Sequence, residues 1–134
     1  MTHRLSCPNC LSQLNPREDL VLTAANRGKR GLVLLHPEPG NYRVALSDGL
    51  PLAKGDVVDF SCPVCQASLV SKLDQSLVQL DYASKSGDER GIVVFSRVYG
   101  DHATFIVNKQ SVAAYGKNAP TYTQRGLFIG LRWD

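Results

Sequence analysis

The sequence has no long apolar run and no large excess of charge of either sign. Its uninterrupted apolar stretches are only a few residues long, far shorter than the roughly 20 residues that a membrane-spanning helix needs. No apolar segment follows the first residues, so we expect no signal peptide and a cytoplasmic location. The net charge of +3 permits contact with nucleic acid but does not indicate it.

Residues that could support catalysis are also scarce. The three histidines, His3, His36 and His102, have no nucleophile beside them in a known pattern. The sequence contains no Gly-x-Ser-x-Gly element, no phosphate-binding glycine loop and no HExxH motif. Asp56 and Asp59 lie three residues apart on a predicted strand, so they point to opposite faces and make a poor acid–base pair. We therefore expect no enzymatic activity.

The cysteines carry the strongest chemical signal, because all four fall in two copies of one tetrad. The first copy is CPNC, from Cys7 to Cys10, and the second is CPVC, from Cys62 to Cys65. Each tetrad places two sulfurs on one tight turn, or knuckle, and two knuckles can close a Cys₄ shell around a metal ion. In a reducing cytosol, such pairs are more often metal ligands than disulfides.

Zinc is the metal that this pattern favours. Four thiolates in a tetrahedron suit Zn²⁺ or a single iron. Rubredoxin-like iron knuckles usually carry glycine after the second cysteine, where this sequence has Leu11 and Gln66. Four cysteines fill every position of a tetrahedral ion, so we expect a structural Zn²⁺ rather than a catalytic one.

The two tetrads resemble the knuckles of the zinc-ribbon superfamily, in which a CPxC pair adjoins short β-strands. The resemblance implies Cys7, Cys10, Cys62 and Cys65 as the metal ligands and implies no particular activity. The layout is also similar to that of small bacterial proteins with paired CPxC motifs. Fifty-one residues separate Cys10 from Cys62, compared with about 15–20 in common metal ribbons, so a small subdomain is expected inside the site.

The rest of the chain reads as mainly β, and no stretch has a convincing helical period. Its 134 residues and 43% hydrophobic content suit one domain with a real core. Runs rich in branched and aromatic residues, bounded by glycines, predict seven strands. These lie near 20–25, 31–36, 42–47, 56–61, 76–82, 91–98 and 103–108.

The second half of the sequence resembles the first. Segment 31–35 (GLVLL) matches 91–95 (GIVVF), and with the same offset of 60 residues 44–46 matches 104–106. Leu14 and Leu69 each stand four residues after a knuckle. We expect pseudo-repeats at 5–61 and 62–116, each a knuckle followed by a β-meander, joined by one Cys₄ zinc site. The alternative is a single irregular β domain whose hairpins look alike.

A basic turn follows the first predicted strand. Arg27, Lys29 and Arg30 could contact phosphates or an acidic partner. The corresponding turn, at 85–90, has charges of mixed sign, which favours an ordinary solvated turn instead.

The C-terminal tail, 117–134, is predicted to end in an extra strand. Leu127, Ile129, Leu131 and Trp133 alternate with other residues and would share one apolar face. This strand could cover a sheet edge of its own chain. It could instead pair with a partner or with a second copy, which would form a homo-oligomer.

The favoured function is a non-catalytic zinc-binding module for protein interaction or regulation, with a protein as its partner. An RNA- or ribosome-associated zinc ribbon is one alternative, and it would use the basic turn together with Arg125 and Arg132. A zinc–thiolate redox switch is the other, since oxidised ligands would release the metal.

Overall fold

The computed structural model of the chain describes residues 4–38, 40–84, 86–108 and 112–124. Over these residues the fold is mainly β, which confirms the predicted class. The strands are β1 (Arg4–Ser6), β2 (Leu20–Asn26), β3 (Lys29–Leu35), β4 (Val44–Leu46), β5 (Asp59–Ser61), β6 (Leu77–Ala83), β7 (Arg90–Ser96), β8 (Thr104–Val107) and β9 (Val112–Tyr115). One short helix, α1 (Ala119–Gln124), follows them.

The strands form two antiparallel sheets that pack face to face. Sheet A has the order β1-β6-β7-β8-β9, and sheet B has the order β4-β3-β2-β5. Alternate residues of a strand point to opposite faces, so Leu22 and Val33 of sheet B point inward. They join Leu80 and Val93 of sheet A in one hydrophobic cluster. This shared core holds the two sheets together.

The registers of the two halves correspond. Gly31 lies opposite Ala24 in the β2–β3 hairpin, and Gly91 lies opposite Tyr82 in the β6–β7 hairpin. The pairing of β3 with β4 repeats, 60 residues later, in the pairing of β7 with β8. The offset noticed in the sequence is therefore also the offset of the hydrogen-bonded ladders.

Each half lends a strand to the sheet of the other. Strand β1, which precedes the first knuckle, pairs with β6 in sheet A, and Leu5 lies opposite Tyr82. Strand β5, which precedes the second knuckle, pairs with β2 in sheet B, and Phe60 lies opposite Ala24. The knuckles therefore follow strands that cross between the halves.

Helix α1 covers the outer face of sheet A. Ala119 and Tyr122 pack against Val94, Phe105 and Val107, which point away from the shared core and form a second cluster. The predicted tail, 117–134, therefore begins with a helix rather than a strand. The alternating residues from Leu127 to Trp133 lie outside the described residues, so the strand predicted there stays a prediction.

Candidate metal centre

The two knuckles have the same backbone structure. The Cys7 N–H donates to the Ser12 carbonyl at 3.0 Å, and the same bond, at 3.0 Å, joins Cys62 to Ala67. The N–H of the residue after the second cysteine returns to the carbonyl of the first, at 2.9 Å in both knuckles. That residue has a positive φ in each case, 66° at Leu11 and 67° at Gln66. The positions that carry glycine in many iron knuckles are thus left-handed here without glycine.

The crossing strands bring the two knuckles together, and their sulfurs form a compact group of four. The Sγ atoms of Cys7 and Cys65 are 3.8 Å apart, and those of Cys10 and Cys62 are 3.7 Å apart. All four Sγ atoms lie within 4.8 Å of one another. A tetrahedral ion with metal–sulfur bonds of about 2.3 Å would separate its ligands by about 3.8 Å. The donor set and its spacing therefore fit one tetrahedral metal ion.

Backbone N–H groups point at the first sulfur of each knuckle. The N–H groups of Asn9 and Cys10 donate to the Cys7 Sγ at 3.3 and 3.5 Å. The Cys62 Sγ accepts the equivalent pair at 3.3 and 3.4 Å. Hydrogen bonds to sulfur favour its ionised form, which is the form that binds metal.

The four thiols differ in their acidity. Burial raises the pKa of the Cys7 thiol to about 12. Hydrogen bonds from the side chain and the backbone of Ser12 lower the pKa of Cys10 to about 6. A hydrogen bond from the Asn9 amide, 3.4 Å long and donated across the site, lowers the pKa of Cys65. The site thus offers thiolates at its half-buried edge, while the buried Cys7 must lose its proton when metal binds.

The structure separates the three cations of the basic turn. Arg27 pairs with Asp56 at 3.0 Å, and Arg30 donates to the Gln66 side chain at 2.9 Å. Lys29 is exposed. Arg30 therefore contacts the second knuckle, which sequence spacing alone did not indicate.

The roles of Asn9 and Ser12 were also missed. Both are small polar residues near the first knuckle, and their spacing carries no recognised motif. Only the approach of the second knuckle gives the Asn9 amide a sulfur to contact.

No family model, no curated protein and no solved structure matches this chain. The zinc-ribbon resemblance therefore rests on the two tetrads alone. In the part of the chain that the structure describes, no helix has the length and apolar content required to cross a membrane.

Proposed function

We propose that this is a non-catalytic cytoplasmic zinc protein in which one Zn²⁺ joins the two halves and the folded unit serves as a protein-interaction or regulatory module. The observation that carries the proposal is the group of four sulfurs, drawn from two distant turns and spaced like the corners of one tetrahedron. Zn²⁺ with four thiolate ligands is typical of structural sites. Such an ion has no position for water or substrate, so its role is to hold the fold.

We infer that the halves are two copies of one unit. The matched registers and the matched knuckle hydrogen bonds support this. A single copy offers two sulfurs, which leaves a tetrahedral ion half coordinated. Two copies complete the shell, and each copy contributes one strand to the sheet of the other.

An open apolar face supports the interaction role. Leu32 and Leu34, on the outer face of sheet B, are 50% and 38% exposed. By the 60-residue offset they correspond to Ile92 and Val94 of sheet A, where helix α1 covers the cluster. Contiguous exposed apolar surface commonly marks a protein contact. The engagement of Arg27 and Arg30 within the chain favours a protein partner over RNA.

Metal content is the first test. The chain purified from unsupplemented medium should hold one zinc per molecule by elemental analysis, and a chelator should remove it together with the cooperative thermal transition. After replacement with Co²⁺, the absorption spectrum should show the bands of a tetrahedral tetrathiolate site. Purified protein that contains iron, or no metal, would contradict the proposal.

The partner surface is tested separately. A photo-crosslinking residue at position 32 should give one dominant protein adduct in cells, and the adduct should disappear when Leu34→Asp is added. The same residue at position 48, in an exposed turn, is the matched control. An adduct with RNA as the dominant species would favour the ribosome-associated alternative.

A further inference from the structure

A cavity of about 810 Å³ lies between the two sheets. None of the four cysteines lines it, so it is separate from the metal centre. Protein interiors are packed about as tightly as organic crystals. Spaces of about 300–1,000 Å³ are typical of pockets that bind small molecules. The size of this cavity is therefore that of a ligand site rather than of a packing defect.

The walls of the cavity are apolar. Leu20, Val33 and Leu35 line it from sheet B, and Leu80 and Val93 line it from sheet A. These side chains can contact a hydrocarbon or aromatic body on two opposite sides, and they offer it no hydrogen bonds. The body of the ligand should therefore be apolar.

One side of the mouth is fixed by a stacked pair of rings. Tyr42, just before β4, and His102, just before β8, stack with centroids 4.2 Å apart and ring planes 1° from parallel. The Tyr42 hydroxyl lies 3.0 Å from Thr104 Oγ1 and donates to the Tyr115 carbonyl at 3.1 Å. These contacts tie the mouth of sheet B to that of sheet A, so the entrance is preformed.

Two hydrogen-bond donors stand at this mouth. Arg43 is exposed, and within the described residues no carboxylate pairs with it. The Glu38 N–H donates to Nδ1 of His36 at 3.1 Å, so the neutral ring of His36 carries its proton on Nε2 and can donate it. Arg43 can bind a carboxylate with two parallel hydrogen bonds. The carboxylate of Glu38, also at the mouth, opposes an anion there.

Other charges that line the cavity are already engaged. Arg97 pairs with Asp59 at 2.6 Å. Asp101 accepts hydrogen bonds from Ser96 and Tyr122 at 2.8 and 2.7 Å. The carboxylate of Glu18 lines the cavity as well, and that residue has a partner of its own. The guanidinium of Arg43 is therefore the cation at the mouth that remains available to a ligand.

We propose that this cavity binds a small organic acid, with its apolar body between the sheets and its carboxylate at Arg43. The proposal rests on the cavity and its mouth alone, and it does not depend on the identity of the metal or of a protein partner.

Decanoate, with decanol as its uncharged counterpart, is a suitable pair of probes for the full-length, metal-loaded chain. Calorimetry should give one decanoate per chain and weaker binding of decanol. Arg43→Gln should weaken decanoate binding about tenfold and leave decanol binding unchanged. Glu38→Gln should tighten decanoate binding. Equal binding of both probes, or no effect of Arg43→Gln, would overturn the assignment of an acid.

Two neighbouring tryptophan variants locate the site. Leu35→Trp places a larger ring in the cavity and should abolish binding, with a melting temperature equal to or above that of the native chain. Leu34→Trp, one residue earlier, points to the outer face and should leave binding unchanged. Loss of binding with Leu34→Trp alone would place the probe elsewhere. Binding that appears only after residues 125–134 are removed would show that this segment occupies the cavity, and it would also overturn the proposal.

Discussion

At the scale of single residues, the four ligands of the proposed zinc site are chemically unequal. The pKa of Cys7 is raised to about 12 by burial, whereas that of Cys10 is lowered to about 6 by Ser12. At neutral pH the metal-free chain therefore presents one thiolate and one firmly protonated thiol from the same knuckle. Metal binding must release the Cys7 proton, so acid should weaken binding.

Asp81 gives a prediction about pH. Burial on β6 raises the pKa of this carboxyl above its usual value of 3.8, so its ionised form costs stability above the folded-state pKa and nothing below about 3.8. Asp81→Asn should therefore raise the free energy of unfolding in urea at pH 7, and the gain should shrink as the pH falls toward 3.8. Asp48→Asn, in an exposed turn, should change stability by less than about 0.5 kcal/mol. Lower stability of Asp81→Asn at pH 7 would refute the prediction.

At the scale of elements, two corresponding glycines hold the neighbouring strands close. A Cβ at Gly91 would collide with the Val107 carbonyl and approach the Tyr82 ring, whereas a Cβ at Gly31 would meet the Ser47 hydroxyl. A side chain can rotate away from such a contact, but a carbonyl in a ladder cannot move without breaking the ladder.

Gly91→Ala should therefore destabilise the fold by about 1–3 kcal/mol, since backbone must shift to admit the methyl group. Gly31→Ala is the matched variant at the corresponding position. It should cost less, and adding Ser47→Ala should restore most of the loss. Thermal melting of the three variants checks the order. Equal losses at the two glycines would mean that the backbone contact at Gly91 is not the cause.

How much of this could be predicted depended on the range of the interactions. The long hairpin strands and the cysteine pairs carry local signals, namely alternation between glycines and a four-residue motif. Strand β1 is three residues long and pairs with β6, so its partner is distant in the sequence. Helix α1 is too short to show a helical period, and its position depends on the second cluster. The cavity depends on how the two sheets pack, which no local pattern encodes.

At the scale of the whole molecule, the metal is expected to decide whether the halves stay together. Structural zinc contributes on the order of 10–16 kcal/mol in small peptides, compared with about 5–15 kcal/mol of net stability for a typical domain. Cys62→Ser should therefore lose the zinc and the cooperative thermal transition. Ser61→Ala, at the neighbouring position of β5, should keep both. A Cys62→Ser chain that melts like the native one and holds one zinc would disprove the joining role.

The tail supplies a second prediction at this scale. A chain that ends at Gln124 lacks the alternating residues Leu127, Ile129, Leu131 and Trp133. If they form a strand within their own chain, the shortened protein should be less stable and should keep its mass in solution, as measured by light scattering. A drop from dimer to monomer would show instead that the strand pairs between chains.

The exchange of strands also sets the order in which the chain can fold during synthesis. Leu5 is among the first residues made, yet its partner Tyr82 follows 77 residues later. At about 5–20 residues per second, the ribosome needs roughly 4–15 s to supply that partner. The first knuckle waits as well, since Cys62 and Cys65 must appear before its sulfurs can share an ion. The newborn N-terminal segment therefore spends seconds with reactive thiols and an unpaired strand, which makes it a natural client for a chaperone.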